Sequence, residues 1–208
     1  MLPTVLLAAA LGLAPDLQRV LEGTAPDSLL IPLRRYELLH RRSTRAADAA
    51  LLLGDLHVAR GEYRLAADAY GRAAAGFDPA RKVEAQYRAG LAWLGAGDAR
   101  RARALLEQVE SGGGERRADA ALGVAYAWTL EGQPERALQQ LASLVASRPG
   151  EAGAAALAGM ARLADRLGQP GVARGARERL RRDYPDSFEA RGVGPEGEHD
   201  IIPGGGRR

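Results

Sequence analysis

Apolar residues between positions 46 and 187 recur every three to four residues, which is the pattern of helices that bury one face. The stretch 47–60 has such a stripe at Ala50, Leu53 and Leu56. Gly61 follows, and a second stripe starts at Leu65. Because glycine adopts the left-handed conformation that often ends a helix, Gly61 is predicted to separate two helices. This stretch therefore predicts a helix–turn–helix pair.

The pair repeats with a period near 36 residues. The turn glycines are Gly61, Gly97, Gly132 and Gly168, and five residues after each comes an alanine: Ala66, Ala102, Ala137 and Ala173. We expect these alanines where the two helices of a pair cross, because a larger side chain would push the axes beyond the usual ~8–10 Å. The predicted units are about 47–82, 83–117, 118–153 and 154–187, with a proline near three unit ends: Pro79, Pro149 and Pro185.

These units resemble the tetratricopeptide repeat (TPR), a helix–turn–helix motif with small and aromatic residues at set positions. The matching residues are Gly54, His57, Gly61, Ala66, Tyr70 and Ala73 in the first unit; Gly90, Trp93, Gly97, Ala102, Leu106 and Val109 in the second; Ala125, Trp128, Gly132, Ala137, Leu141, Leu144 and Pro149 in the third; and Ala161, Ala164, Gly168, Ala173, Leu180 and Pro185 in the fourth. The resemblance implies an all-α fold, a right-handed α-solenoid of about four repeats at 46–187.

The two ends of the chain differ from this region. Residues 1–14 are apolar and uncharged, which is typical of a secretory signal with cleavage after Ala10 or Ala14; a helix docked on the protein is the alternative. Residues 15–45 predict an N-terminal helical cap on the first repeat. Residues 188–208 are rich in glycine and proline, and we predict a disordered tail there.

Composition narrows the chemistry. The chain has no cysteine, so disulfides, thiolate-bound metals and a lipidated cysteine are excluded; it has three histidines and no catalytic motif, and we predict neither enzyme activity, cofactor nor metal. Charges nearly balance, with 29 Lys+Arg against 26 Asp+Glu, which argues against a nucleic-acid partner. Alanine accounts for 42 of the 208 residues, which favours helices packed through small side chains.

The resemblance also implies a peptide-binding groove lined by the first helix of each pair. The predicted groove residues are Asp48, Leu51, Asp55, Val58, Glu84, Tyr87, Leu91, Leu94, Asp119, Leu122, Tyr126 and Thr129. They predict an apolar floor with two tyrosines and an acidic edge, suited to a segment with apolar anchors and positive charge. Packing of the groove on the protein's own N-terminal segment or tail is the alternative. Arg162, Asp165 and Arg166 hold the equivalent positions of the fourth unit.

The end of the repeat region, Leu180 to Phe188, is similar to the last repeat of bacterial periplasmic and envelope TPR proteins. That resemblance implies a non-catalytic scaffold in the cell envelope, periplasmic or exported, with another protein or peptide as partner and peripheral association with the envelope. A cytosolic TPR adaptor or regulatory protein is the alternative. Nothing in the residues indicates a small-molecule substrate, and they leave the oligomeric state open.

Overall fold

A computed structural model describes residues 13–22, 25, 28–41, 43–147, 150 and 152–192. This part of the chain contains eleven helices and no strand. In chain order they are α1 (Pro15–Glu22), α2 (Leu30–Leu39), α3 (Thr44–Ala59), α4 (Tyr63–Gly76), α5 (Pro79–Gly95), α6 (Ala99–Gly112), α7 (Arg117–Leu130), α8 (Pro134–Ala146), α9 (Ala152–Arg166), α10 (Pro170–Asp183) and α11 (Phe188–Gly192). Residues 1–12, Pro149 and residues 193–208 lie outside the described residues.

The helices form four pairs, from α3–α4 to α9–α10. Within each pair, the same type of turn joins the two helices. The turn glycines Gly61, Gly97, Gly132 and Gly168 have φ values of 71°, 76°, 72° and 66°. In the first turn the N–H of Gly61 donates to the carbonyl of Val58, and the N–H of Glu62 donates to the carbonyl of His57, both at 2.9 Å. This bonding pattern closes the helix end and needs a positive φ, which explains a glycine at this point of each unit. The predicted turns are confirmed.

The alanine at the predicted crossing point of each pair is fully buried. Ala66, Ala102, Ala137 and Ala173 are all 0% exposed. The second helices of the last two pairs begin with a proline, Pro134 and Pro170, where the missing N–H has no helical partner to lose. Small side chains and early prolines thus set the boundaries and close packing of the pairs.

The described residues form two compact units, unit 1 up to Leu105 and unit 2 from Leu106, with the boundary inside α6. In unit 1, α1 and α2 pack on the α3–α4 pair through a cluster of leucines with Tyr36. In unit 2, α7 to α10 surround a cluster centred on Leu141, Leu157 and Leu180. Each unit therefore has a core of its own.

The first residues of the predicted tail are ordered into a helix. Residues 188–192 form α11, so the predicted start of disorder at 188 is corrected. The N–H of Ala190 donates to Ser187 Oγ at 3.1 Å, and Ala190 packs against the unit 2 core. Local capping and the apolar contact of Ala190 stabilise this short helix, in which Glu189, Ala190 and Arg191 are good helix formers.

Candidate peptide-binding groove

Two predicted groove residues of unit 1 are buried in the interior. Leu94 and Asp48 are each 7% exposed, so neither is available to a ligand, and both predicted positions are corrected. Asp48 forms an ion pair with Arg81, which lies in the first turn of α5 and over the ring of Phe77, with 3.8 Å to the ring centroid. The carboxylate is therefore already neutralised by an arginine 33 residues later in the chain.

The other predicted acids of unit 1 are also held by an arginine of α5. Arg88 donates to Asp55 at 3.0 Å and to Glu84 at 2.8 Å. Asp55 further accepts a hydrogen bond of 2.6 Å from the hydroxyl of Tyr70, and burial together with the charge of Asp55 raises the pKa of that phenol above its usual value. The predicted acidic edge of unit 1 is thus a set of internal ion pairs, and its attraction for a positively charged ligand is reduced.

The remaining predicted residues of unit 1 are half-buried. Leu51 packs against a cluster of alanines from α3, α4 and α5, and Val58 is seven residues further along α3. Tyr87 and Leu91 are four residues apart on α5, which places them on one face of that helix. These four side chains keep part of their surface exposed in unit 1.

In unit 2, three of the four predicted residues meet in one groove. Leu122, Tyr126 and Thr129, at intervals of four and three along α7, line a cavity of about 160 Å³. Its other lining residues are Ala125, Leu141, Ala155, Gly159, Arg162, Leu163, Arg166 and Glu189. Asp119 lies outside this lining and accepts a 3.0 Å bond from Arg116. We refer to this cavity as the unit 2 groove.

Packing of α9 against α8 shapes the floor of the unit 2 groove. A Cβ atom on Gly159 would lie 3.3 Å from Leu141 Cδ1, which is tighter than an ordinary van der Waals contact. Leu141 and Leu163 are buried, at 6% and 4% exposure, and present apolar surface to the cavity. The floor is therefore fixed by the core of unit 2.

The rim of the unit 2 groove is basic. Arg162 and Arg166, one turn apart on α9, line it together with one acid, Glu189 of α11. Asp165 lies between the two arginines in the chain, but its carboxylate pairs with Arg177 of α10. The charged side chains of the lining sum to one positive charge, which is opposite in sign to the predicted acidic edge.

The predicted site lacks the charged residues of this groove and several of its apolar ones, such as Leu141 and Leu163. Arg162 and Arg166 hold the equivalent positions of the fourth unit, and their spacing matches that of Leu122 and Tyr126, but the predicted site does not include them. Glu189 falls in the predicted tail, and no periodic signal marks it, because α11 has five residues. The arginines were open to prediction, whereas Glu189 required the tertiary structure.

The described residues were also compared with the requirements of a metal site and of a membrane span. No group of three or more His, Cys, Asp or Glu there is arranged to hold a metal ion. His57 Nδ1 lies 2.6 Å from Glu62 Oε2 at the end of α3, a local contact. None of the helices in the described part of the chain is long and apolar enough to cross a membrane.

Comparisons with known proteins agree with the fold. The tetratricopeptide repeat family model matches residues 84–111. YrrB, whose crystal structure is described as "a TPR protein with an unusual peptide-binding site", is 19% identical, with 89% of this chain and 86% of that chain covered and a TM-score of 0.61. No curated protein sequence matches the chain.

A second similar structure is a candidate kinesin light chain of Podosopora anserina with nearly identical TPR-like repeats. It is 19% identical, covers 88% of this chain and 96% of its own, and has a TM-score of 0.63. A variant of it gives 18% identity and a TM-score of 0.64. At these identities the likeness concerns the fold. The predicted all-α fold of TPR-like helix pairs is confirmed.

Proposed function

We propose that this protein is a non-catalytic scaffold that binds a peptide segment of another protein in the unit 2 groove. The observation that carries the proposal is the convergence of Leu122, Tyr126 and Thr129 with the two α9 arginines on one cavity. TPR-like folds are platforms whose specificity depends on a few exposed side chains. The peptide-binding site of YrrB is a property of that protein, and it supports the proposal by likeness of fold.

The lining defines the chemistry of the peptide. The apolar floor accepts an aliphatic side chain, and Tyr126 offers a broad surface with a hydroxyl, as interface anchors do. Arg162 and Arg166 each offer a planar guanidinium suited to carboxylates. We therefore propose a peptide with an aliphatic anchor beside acidic residues, in place of the positively charged segment predicted from sequence.

Selection of peptides from a displayed random library on the full chain tests this proposal. We expect selected peptides to share an aliphatic residue near acids, and to lose at least about tenfold in affinity in a Leu122→Ala/Tyr126→Ala variant, since hot-spot contacts cost about 2 kcal/mol each. Tyr87→Ala/Leu91→Ala is the matched control on the predicted surface of unit 1. Circular dichroism establishes that both variants are folded.

Two results would contradict the proposal. One is selected peptides that bind the Leu122→Ala/Tyr126→Ala variant as tightly as the unmodified chain. The other is a greater loss of affinity in Tyr87→Ala/Leu91→Ala, which would assign binding to unit 1.

We also propose that the protein is exported to the cell envelope. The support is the apolar, uncharged run 1–14. Of its two candidate cleavage sites, the burial of Leu13 favours the one after Ala10. Leu13 is 7% exposed in the leucine cluster of unit 1, and its carbonyl accepts a 2.7 Å bond from the Gln18 side chain. Cleavage after Ala10 keeps Leu13, whereas cleavage after Ala14 removes it.

Sequencing the N-terminus of the protein isolated from its cells tests the location. Export with cleavage after Ala10 gives a chain that starts at Leu11. A chain that starts at Pro15 would contradict the role of Leu13, and an unprocessed cytosolic chain would contradict export and favour the cytosolic adaptor.

A further inference from the structure

The chain leaves unit 2 beside the groove. Glu189 of α11 is part of the lining, and α11 ends at Gly192, three residues later. The residues that follow, 193–208, lie outside the described part of the chain, but their sequence is known. The side chains of this segment are therefore tethered within a short distance of the groove.

The tethered segment contains the residue types proposed for the partner peptide, which are acidic residues beside an aliphatic anchor. Its acids are Glu196, Glu198 and Asp200, and the aliphatic pair Ile201–Ile202 follows directly. Its two basic residues stand apart from this motif, at Arg207 and Arg208. Carboxylates beside an aliphatic anchor complement a groove with two arginines on its rim and leucines on its floor.

The length and the backbone preferences of the segment after Gly192 also allow it to reach the groove. Asp200 is eight residues after Gly192, and an extended chain of that length reaches up to ~26–29 Å. Pro195 and the glycines at 194 and 197 disfavour a helix there. The segment can thus cross from α11 to α9 as extended chain.

We propose that residues 196–202 of the chain's own tail occupy the unit 2 groove. The carboxylates of Glu198 and Asp200 bind the guanidinium groups of Arg162 and Arg166, and Ile201 and Ile202 lie on the leucine floor. The inference rests on the proposed function, because it assigns an occupant to the same groove. The tail then competes with a partner peptide for the groove.

The strength of that competition follows from tethering. A short flexible linker gives an effective concentration on the order of 1 mM. If the isolated segment binds with a Kd of about 0.1 mM, the tail fills the groove in about nine-tenths of the molecules and weakens partner binding about tenfold. A tail that no longer fits should therefore raise the apparent affinity of a partner peptide about tenfold.

Electron-spin distance measurement on the full chain tests the inference. The chain has no native cysteine, so spin labels attach at two introduced sites: Leu130→Cys, which is exposed on α7 next to the groove, and Gly204→Cys in the tail. We expect one short, narrow distance distribution. It should become broad in Arg162→Glu/Arg166→Glu and in Ile201→Ser/Ile202→Ser. Arg174→Glu/Arg181→Glu, two exposed arginines of α10, is the charge-matched control and should leave the distance unchanged.

Three outcomes would overturn the inference. The first is a broad distribution in the otherwise unmodified chain, and the second is a narrow one that survives both groove and tail substitutions. The third is loss of the short distance on dilution with unlabelled protein, which would place the tail in a second copy.

Affinities of the selected peptides separate this inference from the proposed function. If Ile201→Ser/Ile202→Ser raises them about tenfold, the tail is the competitor. If peptides need Leu122 and Tyr126 but ignore the tail substitutions, the proposed function stands and the tail inference fails. If peptides do not need the groove residues, the proposed function fails, whatever the distances show.

Discussion

The two compact units use equivalent repeat positions in different ways. In unit 1 the acids at Asp48, Asp55 and Glu84 are held by arginines of α5. In unit 2 the corresponding faces of α7 and α9 form an apolar groove with two arginines on its rim. The resemblance to the tetratricopeptide repeat thus predicts which helix faces line a groove. The charge and exposure of those faces depend on side chains from neighbouring helices.

The difference also concerns how firmly each surface is held. The hydroxyl of Tyr70 is bonded to Asp55, and Arg88 connects Asp55 to Glu84, so side chains of three helices in unit 1 form one network. In unit 2, Asp119 pairs with Arg116 in the turn just before its own helix, Asp165 of α9 pairs with Arg177 of α10, and Gln140 of α8 donates to Glu110 of α6; each of these pairs joins at most two helices. We therefore expect unit 1 to respond more strongly than unit 2 to equivalent substitutions.

The largest effect is expected where a glycine of a first helix lies against a side chain of a second helix. A Cβ atom on Gly54 would lie 2.4 Å from the Tyr70 ring, which its hydrogen bond to Asp55 holds in place. On Gly123 it would lie 2.7 Å from the terminal methyl of Leu106, a flexible side chain. Gly54→Ala should lower the free energy of unfolding by about 3 kcal/mol, because the ring of Tyr70 cannot easily move away from the new methyl group. Gly123→Ala should lower it by less than about 1 kcal/mol, because the Leu106 side chain can move and alanine has a higher helix propensity than glycine.

Urea unfolding of both glycine variants measures this difference. Equal losses at Gly54 and Gly123 would show that the Tyr70 ring moves as easily as a leucine methyl, and would remove the proposed contrast in rigidity.

The second effect concerns ion pairs. Arg81→Ala leaves the nearly buried carboxylate of Asp48 without its arginine, and we expect a loss of about 2 kcal/mol, below the full cost for a buried pair because Arg81 is partly exposed. Arg116→Ala breaks a solvent-exposed pair with Asp119 in unit 2 and should cost less than about 0.5 kcal/mol. A double-mutant cycle on Asp48 and Arg81 measures the coupling, and a cycle energy near zero would contradict the buried pair.

The third effect is a loss of stability in alkali that originates in unit 1. Burial raises the pKa of Tyr36 to about 12, and burial with the Asp55 charge raises the pKa of Tyr70. In the unfolded chain both phenols ionise near pH ~10, so above that pH the folded chain binds more protons and the free energy of unfolding falls as the pH rises. Below about pH 10 this contribution is fully present.

Urea midpoints at about pH 9 and about pH 11 measure the alkaline effect, and Tyr70→Phe should reduce the drop between them. Tyr36→Phe should reduce it separately. A drop that neither substitution changes would place the alkaline sensitivity elsewhere in the chain.

The smallest effect concerns the contact between an arginine and a tryptophan ring, and we expect it to be the same in both units. Arg101 lies over the Trp93 ring, with 4.7 Å from its guanidinium carbon to the ring centroid, and Arg136 lies over Trp128 at 4.8 Å. Each arginine follows its tryptophan by eight residues. Arg101→Ala and Arg136→Ala should each cost about 0.5–1 kcal/mol and shift tryptophan fluorescence alike. Clearly unequal costs would show that the two repeats differ even where their geometry agrees.

Much of the fold could be predicted because its determinants are local. A glycine with positive φ, as at Gly61, ends a helix within one turn, and an alanine such as Ala66 follows it at a fixed distance in every unit. Leu122, Tyr126 and Thr129 could be assigned to one face of α7 for the same reason, since the helical period is a property of the backbone.

The candidate site was less predictable because charge and burial there depend on distant residues. Nothing near Asp48 in the chain indicates that Arg81 neutralises it, and Leu94 is buried by the packing of neighbouring helices. Sequence alone thus determined the helices, their turns and the faces they present, because those follow from backbone periodicity and local conformation. The tertiary structure decided which faces remain open and which charges survive on them, because ion pairing and burial depend on residues of other helices, such as Arg81, which lies 33 residues after Asp48.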